Sequence, residues 1–155
     1  MKETCNSNLM AERLESLKAG ILSALSFSLV FIPASIFNQF LLKEYFFKLY
    51  SGSIITLSWQ WLISVGIASF SGFLFGATYR YIIRKDENPH LKSGGILAFG
   101  LVRGLAQVDI GLNFPLSALT FTLIVIENIA EFAIAAFILD NAIKFSLVKP
   151  FVGNK

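Results

Sequence analysis

Arg103, Gln107, Asp109, Glu127 and Glu131 interrupt stretches that are otherwise apolar. Residues four apart share a helix face, so Arg103 sits with Gln107 and Glu127 with Glu131. Such a set supports two kinds of chemistry. The groups can pair across a helix interface, or a surplus acid can take up a proton or another cation. Two acids here face one arginine, and Glu127, expected opposite the neutral Gln107, is the surplus acid. Asp109 lies about 120° around the helix from Arg103 and is expected to face a different neighbour. Three readings follow. Asp109, Glu127 and Glu131 form a proton relay; or an Arg103–Glu131 pair is interhelical glue; or the cluster docks on another protein's membrane helix. The last two are preferred to transport.

Other chemistries find no support. The single histidine, His90, and the single cysteine, Cys5, exclude a bis-histidine haem and a Cys/His zinc site within the chain. Asp86, Glu87 and His90 fit no recognised metal spacing. Ser64, Ser69 and Ser71 have no histidine in their span, and the glycines fit no phosphate-binding loop. The expectation is therefore a non-enzymatic chain with no cofactor and no metal. The net charge of +3 is read as loop topology rather than nucleic-acid affinity.

The elements that must carry these residues follow from composition. Charged residues make up 15% of the chain, against roughly a quarter in a soluble domain, and the apolar residues are blocked. Residues 19–42 and 49–79 contain no charge, and 110–126 contain none either. A bilayer core about 30 Å thick needs ~20 apolar residues as a helix. Spans are expected at Ala19–Leu42, Leu57–Tyr79, Gly94–Leu112 and Leu116–Leu139, the third being the weakest. Pro33 should kink the first. Trp59 and Trp61 at one end of the second, with Tyr79 and Tyr81 at the other, suit two aromatic belts. Asn113-Phe114-Pro115 is read as a tight turn, and Asn88-Pro89 as a turn in a polar loop. Residues 1–8 are expected to be disordered. Leu9–Lys18 has helical amphipathic spacing and either lies in the interface or, as preferred, begins the first span.

The predicted fold class is an all-α integral membrane protein, a four-transmembrane-helix bundle with short outer loops. It divides into a polar segment 1–18 with a short amphipathic helix, a membrane domain 19–140 and a basic tail 141–155. With the N-terminus inside, ten basic residues lie inside (Lys2, Arg13, Lys18, Arg80, Arg84, Lys85, Lys92, Lys144, Lys149, Lys155) and two outside (Lys43, Lys48). That bias predicts cytoplasmic termini, and the inner cations are expected to touch anionic lipid. The weighed alternative makes segments three and four a re-entrant hairpin.

An antiparallel third and fourth span would place Arg103 about 13 Å and Glu131 about 12 Å above the inner ends, with Gln107 and Glu127 at about 19 and 18 Å. The pairings Arg103–Glu131 and Gln107–Glu127 are predicted. Gly72–Gly76 and Gly100–Gly104 form two GxxxG spacings, with Ala68 extending the first. They are read chiefly as packing between the second and third helices, or else as docking faces.

The stretch NPHLKSGGILAFGLVRGLAQVDIGL, Asn88 to Leu112, resembles that of small membrane proteins of cyanobacteria and plastids. The resemblance covers about a sixth of the chain and implies no activity. It implies a thylakoid or inner-membrane location and an accessory role. The expected partners are the bilayer, other membrane proteins and the chain itself.

Overall fold

A computed structural model describes residues 2–41, 59–83, 88–112 and 118–151. These form four helices: α1 (Lys2–Leu41), α2 (Trp59–Ile83), α3 (Pro89–Gly111) and α4 (Ala118–Lys144). Three stretches are long and apolar enough to cross a membrane: Met10–Ile36, Trp61–Ile83 and Ala118–Lys144. Helix α3 is shorter and less apolar because it carries Arg103, Gln107 and Asp109. The expected turn at 113–115 lies outside the described residues, as do the expected connections at 43–56 and 84–87.

The element boundaries depart from expectation at three places. Residues 2–8 are helical rather than disordered, and α1 then runs on without a break through Leu9–Lys18, as the preferred reading has it. It also continues through Pro33, whose missing amide and ring cost a helix least in a membrane protein, where neighbouring groups satisfy the freed carbonyl. Asn88-Pro89 is a helix start, not a loop turn. Asn88 is extended (φ −68°, ψ 111°), its side chain accepts from the His90 amide at 3.0 Å, and Pro89 occupies the first helical position. Both choices favour an N-terminus, so α3 begins five residues before Gly94. Helix α2 runs past Tyr79, which moves Arg80 out of the expected loop and into the bundle.

The helices run up–down–up–down as two antiparallel hairpins, α1 on α2 and α3 on α4, with α1 also against α4. In lipid, burial of apolar surface drives helices together only weakly, so close approach and packing matter more. Glycine supplies the approach. A Cβ at Gly76 would lie 2.4 Å from the Ala19 carbonyl oxygen, and one at Gly72 would lie 2.6 Å from Phe27 Cβ. One at Gly100 would lie 2.8 Å from Ile129 Cα, and one at Gly104 3.0 Å from Val125 Cα. The first GxxxG therefore packs on α1 and the second on α4, rather than on each other. Each glycine face therefore serves its own antiparallel hairpin.

The hairpins meet on aromatic rings. Phe27, Phe75 and Phe132 are fully buried. Phe132 reaches Phe27 at 4.7 Å, Phe75 at 5.1 Å and Phe99 at 5.8 Å between ring centres. One residue from each helix thus builds the centre, and edge-to-face pairs add to packing. Ser28 and Ser69 join α1 to α2 by a 2.7 Å hydroxyl contact.

Candidate functional site

The cluster expected from sequence lies inside the α3–α4 hairpin, just beyond the aromatic centre. Glu131 follows Gly100's partner Ile129 by two residues and directly precedes Phe132, so its side chain is drawn into the bundle and is only 3% exposed. Arg103 enters from α3 beside Gly104. Its guanidinium reaches across to the other hairpin, where Nη1 donates to Ser71 Oγ of α2 at 3.1 Å. The same group lies over the Phe27 and Phe31 rings of α1, at 5.4 and 5.6 Å. Cation–π contacts of this kind are worth about 0.5–1 kcal/mol or more when desolvated.

The expected pairings are replaced by related ones. Arg103 and Glu131 interact electrostatically, but they are not among the ion pairs within 4 Å of the described residues, which are Lys18–Glu15, Arg80–Glu12 and Lys92–Asp140. Gln107 is met by Asn128, whose Nδ2 donates to Gln107 Oε1 at 3.0 Å and also to the Ile124 carbonyl at 2.8 Å. Asn128 is one residue from Glu127, so the depth match holds while the helix face is rotated by one position. Glu127 is half-buried on α4 and faces Glu131 electrostatically. Asp109 is exposed on α3, and among the described residues no hydrogen bond or ion pair ties it to the cluster, so a relay through it gains no support. No group of three or more metal-ligating side chains occurs among the described residues.

Among the described residues, three buried polar atoms have no hydrogen-bond partner: Arg103 Nε, Asn128 Oδ1 and Ser23 Oγ. Ser23 lies on the α1–α2 seam, against Gly72 and Gly76. The other two belong to the cluster. A buried polar atom left unsatisfied costs about 1–3 kcal/mol, and such atoms gather at functional sites.

Comparison of the chain with protein-family models, with curated proteins and with solved structures gives no match. The site's meaning therefore rests on its geometry.

A second polar centre, at the other end of the bundle, was missed by sequence reasoning. Arg80 is 1% exposed. Its Nε donates to the Lys149 carbonyl at 2.8 Å, and Nη1 to the Glu12 carbonyl at 2.9 Å and to Ser16 Oγ at 2.7 Å. Nη2 forms an ion pair with Glu12 Oε2, and the Phe151 ring stacks at 5.8 Å. The segment after α4 is steered there by its own helix end. Ser146 takes φ 59°, Ser146 N–H donates to the Ile143 carbonyl and Leu147 N–H to the Ala142 carbonyl, which is the pattern of a Schellman stop. Val148 then buries, and the Lys149 amide donates to Glu15 Oε2 at 3.0 Å. Beside this, Lys92 pairs with Asp140 at 3.0 Å. The only sequence signal was the helical spacing of Glu12 and Ser16; the backbone acceptors leave no trace in side-chain types.

Proposed function

We propose that this chain is a non-enzymatic membrane accessory or assembly protein that crosses the bilayer four times and acts through helix contacts with other membrane subunits. Three apolar helices support the membrane setting. For α3, the support is geometric. Its 23 residues rise about 35 Å, and its glycines clasp α4, so it would follow α4 across. The basic-residue bias favours cytoplasmic termini, and the meeting of Glu12 and Lys149 on one arginine supports both ends lying on one side, as an even number of spans requires. The resemblance of residues 88–112 favours an inner or thylakoid membrane.

The observation that carries the accessory reading is the outer face of the α3–α4 hairpin. A shallow groove of about 270 Å³, lined by Leu105, Val108, Phe121, Thr122 and Val125, opens between the two helices. Leu97, Leu101, Val102 and Leu105 lie exposed along α3, which packs mainly on α4 alone. A groove lined by four branched side chains and one phenylalanine suits a partner helix, because packing rather than hydrophobicity selects contacts in lipid. The test is the native mass and composition of the complex extracted in mild detergent from its own membrane. A stoichiometric larger partner that is lost with Val125→Trp supports the reading. A homogeneous particle with no partner, unchanged by that substitution, defeats it.

The alternative is a small oligomeric proton- or cation-handling transporter. Burial of Glu131 without an ion-pair partner within 4 Å among the described residues favours it. Proton flux in liposomes that vanishes in Glu127→Gln or Glu131→Gln, with protein still accumulating, would replace the accessory reading by this one.

A further inference from the structure

The segment after α4 ends the bundle with two large apolar side chains in the open. Phe145 is 77% exposed and Leu147 67%. Both are held there. The amides of Phe145, Ser146, Leu147 and Val148 all donate to carbonyls of the last helical turn, those of Asn141, Ala142 and Ile143. Val148 packs into the core and anchors the turn. The stretch Ala118–Lys144 is apolar enough to cross a membrane, so Phe145 and Leu147 stand where that span would leave the acyl chains. Lys144 and Lys149 flank them, and both are exposed.

The charges at this end do not balance. The carboxylates of Glu12, Glu15 and Asp140 are engaged by Arg80, Lys18 and Lys92. Glu15 also accepts the Lys149 amide at 3.0 Å. Among the described residues, Arg13, Lys144 and Lys149 are left with no carboxylate within 4 Å. Lys149 is fixed through its backbone, by Glu15 at its amide and by Arg80 at its carbonyl, so its ammonium is not needed to hold the turn.

We propose that this turn binds an anionic phospholipid, with Lys144 and Lys149 on the headgroup phosphate and Phe145 and Leu147 in the acyl boundary beneath it. Such a lipid suits both halves of the turn. Exposed phenylalanine and leucine gain by entering the headgroup–acyl boundary. Lysine stems lie along apolar surface while the ammonium stays at the headgroups. Each lysine near an anionic leaflet is worth about five-fold in affinity. A soluble anion would leave Phe145 and Leu147 in water, and a zwitterionic lipid would leave the surplus positive charge uncompensated.

The proposal rests on the membrane reading and not on the accessory role, and the test separates them. Carbonate washing of the membranes comes first. A chain washed off defeats the membrane reading and the proposal with it. The full chain, purified in mild detergent, is then given equal amounts of phosphatidylglycerol and phosphatidylcholine with the same acyl chains, and bound lipid is counted by native mass spectrometry. Phosphatidylglycerol should be retained in preference. Lys144→Gln combined with Lys149→Gln should lower its apparent affinity roughly 25-fold and leave lipid-free thermal unfolding unchanged. Phe145→Ser combined with Leu147→Ser should weaken both lipids alike. For a chain that stays in washed membranes, three results overturn the proposal alone: equal retention of the two lipids, a preference that survives the lysine variant, or displacement of phosphatidylglycerol by inorganic phosphate at equal concentration.

Discussion

Among the described residues, two arginines lie inside the bundle, and their surroundings treat them in opposite ways. Arg80 donates to two carbonyls, a hydroxyl and a carboxylate, so nearly every N–H is used. Arg103 donates one bond to a serine, rests on two rings and leaves Nε unpartnered. A fully satisfied guanidinium fixes the elements around it and has nothing left to offer. A partly satisfied one keeps donors and charge in reserve beside Glu131. Burial alone does not separate structural from functional arginines; the account of their hydrogen bonds does.

The largest effect is expected at Arg80. Arg80→Leu strands the Glu12 carboxylate and frees α1 and the segment after α4 together, which should cost about 3–5 kcal/mol in thermal unfolding in mild detergent. A loss below ~1 kcal/mol would deny Arg80 its structural role. Next comes the seam one turn away. Gly76→Ala drives a methyl against the Ala19 backbone and should cost about 1–3 kcal/mol. Gly66→Ala meets nothing within 4 Å and should gain roughly 0.5–1 kcal/mol. Equal effects at the two glycines would mean that α1 and α2 do not touch there. Arg103→Met removes one hydrogen bond and the ring contacts, but also an unsatisfied donor. Its net cost should be about 1 kcal/mol, and a loss matching that of Arg80→Leu would erase the contrast between the two arginines. The smallest effect is predicted for Lys149→Ala, within about 0.5 kcal/mol, because Lys149 serves the knot through its amide and carbonyl.

Much of the fold is legible in the charge distribution: uncharged blocks mark three of the four helices, and α3, which carries charge, starts five residues before its expected place. The polar cluster is legible too, since i,i+4 spacing on antiparallel helices fixed its depth. The exact partners were not, because a rotation of one position exchanges Glu127 for Asn128 without changing depth. Arg80 escaped notice because it reads as one more basic residue at an inner loop, and its partners lie 64 to 69 residues away, two of them backbone carbonyls. The GxxxG pairs were found but assigned to the wrong neighbour, since small-residue spacing marks a face without saying which helix meets it.

The knot at Arg80 also imposes an order on the making of the protein. Its guanidinium enters the growing chain 69 residues before the Lys149 carbonyl that receives its Nε–H. Until that carbonyl is synthesised, the arginine has only α1 to turn to, and its remaining donors must stay with water or lipid headgroups. This end of the bundle can therefore close only after the chain has passed Lys149, so a chain stopped earlier carries an exposed arginine that a finished one conceals.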